Sequence, residues 1–566
     1  MGDNMYYNET VKVPDLTGKI NIMKKGKSSY VRYLLETRYV PEKKYAIPKF
    51  TIIGKLSDEP NMMFPNENYV RYFGAEEFSE EAQSERSGCL KSGAFMVLSE
   101  LTRELNLKKV LKQRFDDKEA SLILDLAFYS IITEGNQAQY YPDYAYNHPL
   151  MTENMKIYRD SKISDFLSSV DYNQIQGFLD DWNCNHDHVE RIYISYDSTN
   201  KNCQAGNIDM VEFGHPKVDK GLPIVNIAMA YDINNEMPLF YEEYPGSIVD
   251  VSQLRYMVEK ASGYGYKNIG FILDRGYFSR ANINDMDKAE YPFIIMVKGQ
   301  KKLVREIIID CKGSFEDDRK SLIRPHRCYG KTIVRKLYPS DSKDRYFHLY
   351  FSHEKAAAER SAFEDRIEEM QKYLDSLSGE KVTIAEKYKK YFYLEYHNDG
   401  TFVCASEKTS AIEEEISLFG YYCIISSEPM TAEEALTIYK SRDASEKLFR
   451  GDKSYLGGAA VRVHSSKSMS AKLFIEFIAL ILRNRMYKKL KKEQEALKKR
   501  LNYMNVPASI RELEKIELMR CHQGNYILDH APTKTQKTIL KSFGIDANVL
   551  KRRNQRLCEI LEHVSK

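Results

Sequence analysis

The chain has 566 residues, 43% of them hydrophobic and 29% charged, and a net charge of only +3. It is too long for one ordinary core, so three or more globular domains are expected. It is also too close to neutral to hold a polyanion by global charge, which leaves local basic patches to do so. The nine cysteines are odd in number and form no CxxC pair, which argues against a disulfide framework and for a reducing cytosol. The opening MGDNMY is acidic with no apolar run behind it, so no signal peptide is expected. The most apolar segment, LFIEFIALIL at 473–482, is short and contains Glu476, which makes it a buried core helix rather than a membrane span.

From the N-terminus, "SYVRYLLETRYV" and "IPKFTIIGKL" read as two strands joined by a charged turn, a small β-rich unit over 1–84. Apolar residues then recur every three or four positions, giving a helical region over 85–190. Residues 191–299 alternate strand and helix signals, the first part of an α/β core. A β-rich insertion follows over 300–418, around a charged helix near 354–376. The core resumes over 419–482 with a long buried helix, and 483–566 is basic and helical. There is no internal repeat.

Two strands read as ending in aspartate: "RIYISYD" in Asp197 and "NIGFILD" in Asp274. Side chains at the C-terminal ends of neighbouring strands converge on one crevice. Two carboxylates there repel unless a cation or proton intervenes, and an oxygen-only cluster suits Mg²⁺ or Mn²⁺ better than zinc. A third carboxylate would complete a two-metal site for phosphodiester chemistry. The segment "YKSRDASEKLFRGDK", 439–453, can supply it. On a helix, Tyr439, Arg442, Glu446 and Lys453 fall within a stripe of roughly 60°. Glu446 is the third acid of choice, and Asp443 is its rival. Gly451 weakens the helix ahead of Lys453 by about 1 kcal/mol. A continuous helix is expected through Phe449.

These residues resemble the DDE, RNase H-like transposases of prokaryotic insertion sequences, and in particular the group named after insertion sequence four. That group's signature, Y-x2-R-x3-E-x6-K, is matched at Tyr439, Arg442, Glu446 and Lys453. Its first acid sits in a D-x-T context, as Asp197-Ser198-Thr199 does, and its second in D-x-G, as Asp274-Arg275-Gly276 does. "FGHPKVDKGLPIVNIAMAYD" is looser: Pro216 replaces the usual Ser, and Val218 separates Lys217 from Asp219. "YPGSIVD" carries Ser247 in place of Asn.

The resemblance implies an RNase H-like mixed sheet flanked by helices, with Asp197, Asp274 and Glu446 as catalytic ligands of two Mg²⁺ (or Mn²⁺) ions. It implies DNA contacts from Tyr439, Arg442 and Lys453, and end recognition by the helical 85–190 region. The function implied is cleavage at terminal inverted repeats and joining of the 3′-OH ends to target DNA, by a homodimer on double-stranded DNA. It also implies a prokaryotic, cytoplasmic, nucleoid-associated protein with no membrane partner. Some relatives flip a base onto an aromatic residue; Tyr277 is a candidate here, with packing at a strand end as its plainer reading.

Three other features compete for attention. Cys184, His186 and His188 could present zinc ligands, but no fourth is evident, and a polar loop is the plainer reading. Trp182, the only tryptophan, reads as a packing anchor. Residues 483–500 hold nine basic residues against two acidic, either a solvated face or a phosphate tracker. Alternatives to a transposase are an RNase H-type nuclease without strand transfer and an inactive DNA-binding derivative.

Overall fold

A computed structural model describes residues 6–7, 10–26, 28–40, 45–73, 86–185, 191–205, 208–217, 219–248, 250–266, 268–298, 301–443, 447, 453–520 and 526–564. The chain divides into two compact units, Met1–Arg86 and Ser87–Lys566.

In the first unit the two β-rich runs form paired antiparallel strands, Ser28–Val40 and Tyr45–Leu56. Ile20–Lys25, Met62–Pro65 and Val11–Lys12 complete a five-stranded sheet. Its core is small, built on Val11, Val31, Ile53 and Met63.

The second unit is a mixed α/β body built on one ten-stranded sheet. Ile192–Cys203, Ile224–Asp232 and Met237–Pro245 form an antiparallel meander. A helix, Asp250–Gly263, leads to Ile269–Leu273, which pairs parallel with Ile192–Cys203. Phe293–Met296 pairs parallel on its far side. Every residue of Ile224–Asp232 and Ile269–Leu273 is buried, which explains their unbroken apolar runs: both faces of the sheet are covered.

Three strands of the 300–418 segment, Leu322–Ile323, Cys328–Arg335 and Arg345–Phe351, extend this sheet. Its longest elements are the helices Lys301–Cys311 and His353–Ser376, so the segment is less β-rich than expected. Cys328–Arg335 and Arg345–Phe351 continue it through Tyr421–Ser426. Only the hairpin Phe392–Tyr396 and Phe402–Glu407 stands apart, sharing a separate apolar cluster with the charged helix His353–Ser376.

The helix Ser466–Leu497 is buried on all sides from Leu473 to Arg483. It packs on Met237–Pro245 and on the helices Asp117–Thr133 and Asp160–Ser169, so it is the spine of the unit. Among the described residues no helix is long and apolar enough to cross a membrane. The tail is more than helical: Glu517–Arg520 pairs with Tyr526–Leu528 and with Cys89–Lys91, a non-local pairing that four-residue runs do not announce. Trp182 is buried, stacks on Phe178 and donates to the Pro238 carbonyl at 3.0 Å, as a packing anchor should.

Candidate active site

Asp197 does not end its strand. The strand runs on to Cys203, which places Asp197 at its middle. The sequence hides this because Ser198–Asn202 is polar yet buried. Its polarity is spent on the neighbouring loop. Asn200 donates to the His215 carbonyl at 3.0 Å and accepts from the Lys217 N–H at 2.9 Å. Asn202 donates to the Asp219 carbonyl at 2.9 Å and accepts from the Asp219 N–H at 3.2 Å. A buried polar strand is stable when its groups are satisfied in this way.

Asp274 leaves its strand immediately after Leu273. Since Tyr196 pairs with Leu273 in parallel register, Asp197 and Asp274 are the next residues along two neighbouring strands. Asp274 also caps the single helical turn Arg275–Tyr277, accepting from the Gly276 N–H at 3.4 Å. Burial pushes the Asp197 carboxyl up to about 6, and the nearby Asp274 charge adds to the rise. The Ser198 N–H, donating to Oδ1 at 2.8 Å, pulls it back, as do the Arg442 and Lys217 charges.

Arg442 ends the helix Ala432–Ser441 as its C-cap. Its Nη2 lies 3.6 Å from Asp274 Oδ1, and its guanidinium sits 5.6 Å from the Tyr439 ring centre. Tyr439 is only 7% exposed and packs with Leu436, Ile272, Ile294 and Ile424. It underlies Arg442 and fixes where the guanidinium stands. Asp443 is exposed and pairs with Lys447 at 2.6 Å, which spends the rival acid locally. Lys453 opens a short helical stretch and is partly exposed. Glu446, Phe449 and Gly451 lie outside the described residues, so the expected helix is described only through Ser441, with Asp443 and Lys447 also helical.

Tyr277 is 2% exposed and packs on Tyr196 with ring centres 5.4 Å apart. Its surface is committed to the core, which leaves no face for a stacked base. His186 and His188 also lie outside the described residues. Among those described, no group of three His, Cys, Asp or Glu is placed to hold a metal.

One cation at the site is not marked by the acid motifs. Lys217 comes from a loop twenty residues beyond Asp197, and its Nζ donates to the Ser198 carbonyl at 2.6 Å. The only signal for it is the run "GHPKVDK", whose spacing is irregular.

Residues 196–482, about half of the chain, match the family described as "Transposase DDE domain". The chain belongs to that family. The match to the transposase DDE domain opens one residue before Asp197 and spans Asp274, Tyr439, Arg442 and Lys453. No curated protein matches the chain. Among solved structures, the piggyBac transposase synaptic complex with hairpin DNA is similar over 71% of this chain, at 8% identity and a TM-score of 0.32. The match covers 63% of that chain, under two thirds of its length. The Mos1 transposase paired-end complex with left transposon end is similar over 37% of this chain and 68% of that one, at 11% identity and a TM-score of 0.14.

The donor set of this DDE transposase domain fits a hard divalent cation. It offers carboxylate oxygens side by side, one of them half-buried and under-neutralised, with no sulfur or imidazole among the groups named at the site.

Proposed function

We propose that the protein is an RNase H-like transposase of the insertion-sequence-four type. In this reading it cleaves DNA at terminal inverted repeats and joins the 3′-OH ends to target DNA. The observation that carries the reading is the juxtaposition of Asp197 and Asp274 on neighbouring parallel strands beneath Arg442, within a chain of the transposase DDE family.

Asp197, Asp274 and Glu446 would hold two Mg²⁺ or Mn²⁺ ions, which when bound supply charge stabilisation at the attacking and leaving oxygens. The chain's own residues do the rest. Desolvation leaves Asp197 in want of positive charge, so it is a strong oxygen ligand once ionised. Arg442, held over Tyr439, presents a planar fork suited to a backbone phosphate beside the acids. Lys217 adds charge beside Asp197, Lys453 would add a further phosphate contact, and Tyr439 acts through Arg442. Helices of 85–190 would read the element's ends, and synapsis of two ends would require a homodimer on DNA.

The test is cleavage of labelled DNA carrying the inverted repeats that flank the gene, with Mg²⁺ and a supercoiled target. Nicks with 3′-OH ends and joined products are expected. Both should be lost with Asp197→Ala or Glu446→Ala. Cleavage that persists in either variant overturns the assignment. Nicks without joined products reduce it to a nuclease.

A further inference from the structure

A second site lies behind the segment that carries Tyr439 and Arg442. A half-open cavity of about 560 Å³ is lined by the end of that helix, the long helix Ser466–Leu497 and the first turn of Val506–Leu513. By helical phase, Lys440 and Asp443 fall at roughly 40–100° from Tyr439, whereas Arg442 falls near 300°, so one segment carries two differently directed faces.

The cavity is basic. Among the described residues five cationic side chains line it against two carboxylates. Both carboxylates are already paired: Glu236 with Lys488 and Asp443 with Lys447, each at 2.6 Å. Arg483 is the centre of what remains. It is 8% exposed, and among the described residues its buried Nη1 has no hydrogen-bond partner. Its guanidinium stands 4.5 Å from the Tyr455 ring centre. Neither carboxylate of the described wall pairs with Arg483, so its desolvated charge favours an anion in the space it lines.

Two independent features point to the kind of anion. Asn505 caps the helix Val506–Leu513, whose first residues line the cavity with the positive end of the helix dipole. Tyr487, partly exposed, adds aromatic wall, which suits a flat ring joined to the anion. The volume is that of a small-molecule site, fit for one nucleotide and too small for a duplex.

We propose that this cavity binds a single nucleotide unit, its phosphate beside Arg483 and Lys440 and its base against Tyr487. The nucleotide is either a free mononucleotide or one unstacked unit of a DNA strand. Only the second source rests on the transposase reading.

The test is calorimetric titration of the full chain with inorganic phosphate, adenosine 5′-monophosphate and a short single-stranded oligonucleotide. At least one nucleotide ligand should bind tenfold or more tightly than phosphate. Arg483→Met and Lys440→Glu should each weaken it tenfold or more, while Asp197→Asn leaves it unchanged. Lys440 is exposed, so its variant decides the matter if Arg483→Met does not fold. Mononucleotide binding alone identifies a free ligand, and oligonucleotide binding alone identifies a strand. The proposal is overturned if neither ligand outbinds phosphate, or if binding survives the variants that fold. Nucleotide binding in a protein that cleaves no end DNA overturns the transposase reading and leaves this one standing.

Discussion

The strand Ile192–Cys203 carries a buried lysine and a half-buried aspartate four residues apart, and the fold treats them oppositely. Lys201 is fully answered: its Nζ donates to Glu476 Oε2 at 2.8 Å and to the Gly458 carbonyl at 2.7 Å. Glu476 is held in turn by Asn136, which donates to Oε1 at 2.8 Å and to the Gly457 carbonyl at 3.1 Å. Asp197, on the same face of the strand, is answered only in part among the described residues, by the Ser198 N–H and the Arg442 and Lys217 charges, and burial lifts its carboxyl to about 6. The first arrangement locks the 457–458 turn to the strand and the spine helix. The second leaves a charge for something outside the chain to neutralise. The contrast teaches that burial alone does not mark a functional ion; what marks it is incomplete compensation.

The largest effect expected is on the under-compensated side. Asp197→Asn or Asp274→Asn should lower DNA cleavage on the order of 10³-fold or more, about 4 kcal/mol of barrier, with circular dichroism and melting near wild type. Breaking the compensated side should show the reverse signature. Glu476→Ala strands Lys201 in the core and should cost about 3–4 kcal/mol of unfolding free energy by denaturant titration. A native melting curve for that variant would erase the contrast.

A milder break is Gly457→Ala. Gly457 has φ +68, and an added Cβ would meet the Asn136 nitrogen at 3.1 Å, so a loss of about 1–2 kcal/mol is expected in the same titration.

The smallest effect sharpens the comparison through its sign. A carboxyl raised to about 6 stabilises the fold only when protonated, so its contribution is present below the unfolded value near 3.8 and is lost as pH rises through about 6. In EDTA, Asp197→Asn should therefore stabilise the protein by about 1 kcal/mol at pH 7.5 and hardly at all at pH 4. Cleavage by the wild type should fall as pH drops through about 6, when Asp197 takes up its proton. An Asp197→Asn protein less stable than wild type at pH 7.5 would show that the carboxylate is compensated after all.

Much of the site was legible because local spacing encodes it. A helix repeats every ~3.6 residues, so Tyr439 and Arg442 had to share a stripe, and they do. Two apolar runs followed by aspartate announced neighbouring buried strands, and parallel pairing brought Asp197 and Asp274 together. What spacing cannot encode is how a neighbour satisfies a polar residue. The polar run after Asp197 looked like a strand end because its partners, the loop carbonyls at 215 and 219, are far along the chain. The signature implied a DNA contact for Tyr439 and could not show that the sheet residues Ile272, Ile294 and Ile424 pack against its ring. The basic run 483–500 read as either a solvated face or a phosphate tracker, yet Arg485 and Lys489 converge on Glu104, Lys488 pairs with Glu236, and Arg483 is buried.

The sequence by itself determined the chemistry of this protein: which acids and cations it carries, and the short-range order that sets helix faces and apolar strands. Only the tertiary structure decided which charges are answered. Compensation depends on groups hundreds of residues apart in the chain, such as Lys201 with Glu476, meeting within 3 Å where little water remains to screen them.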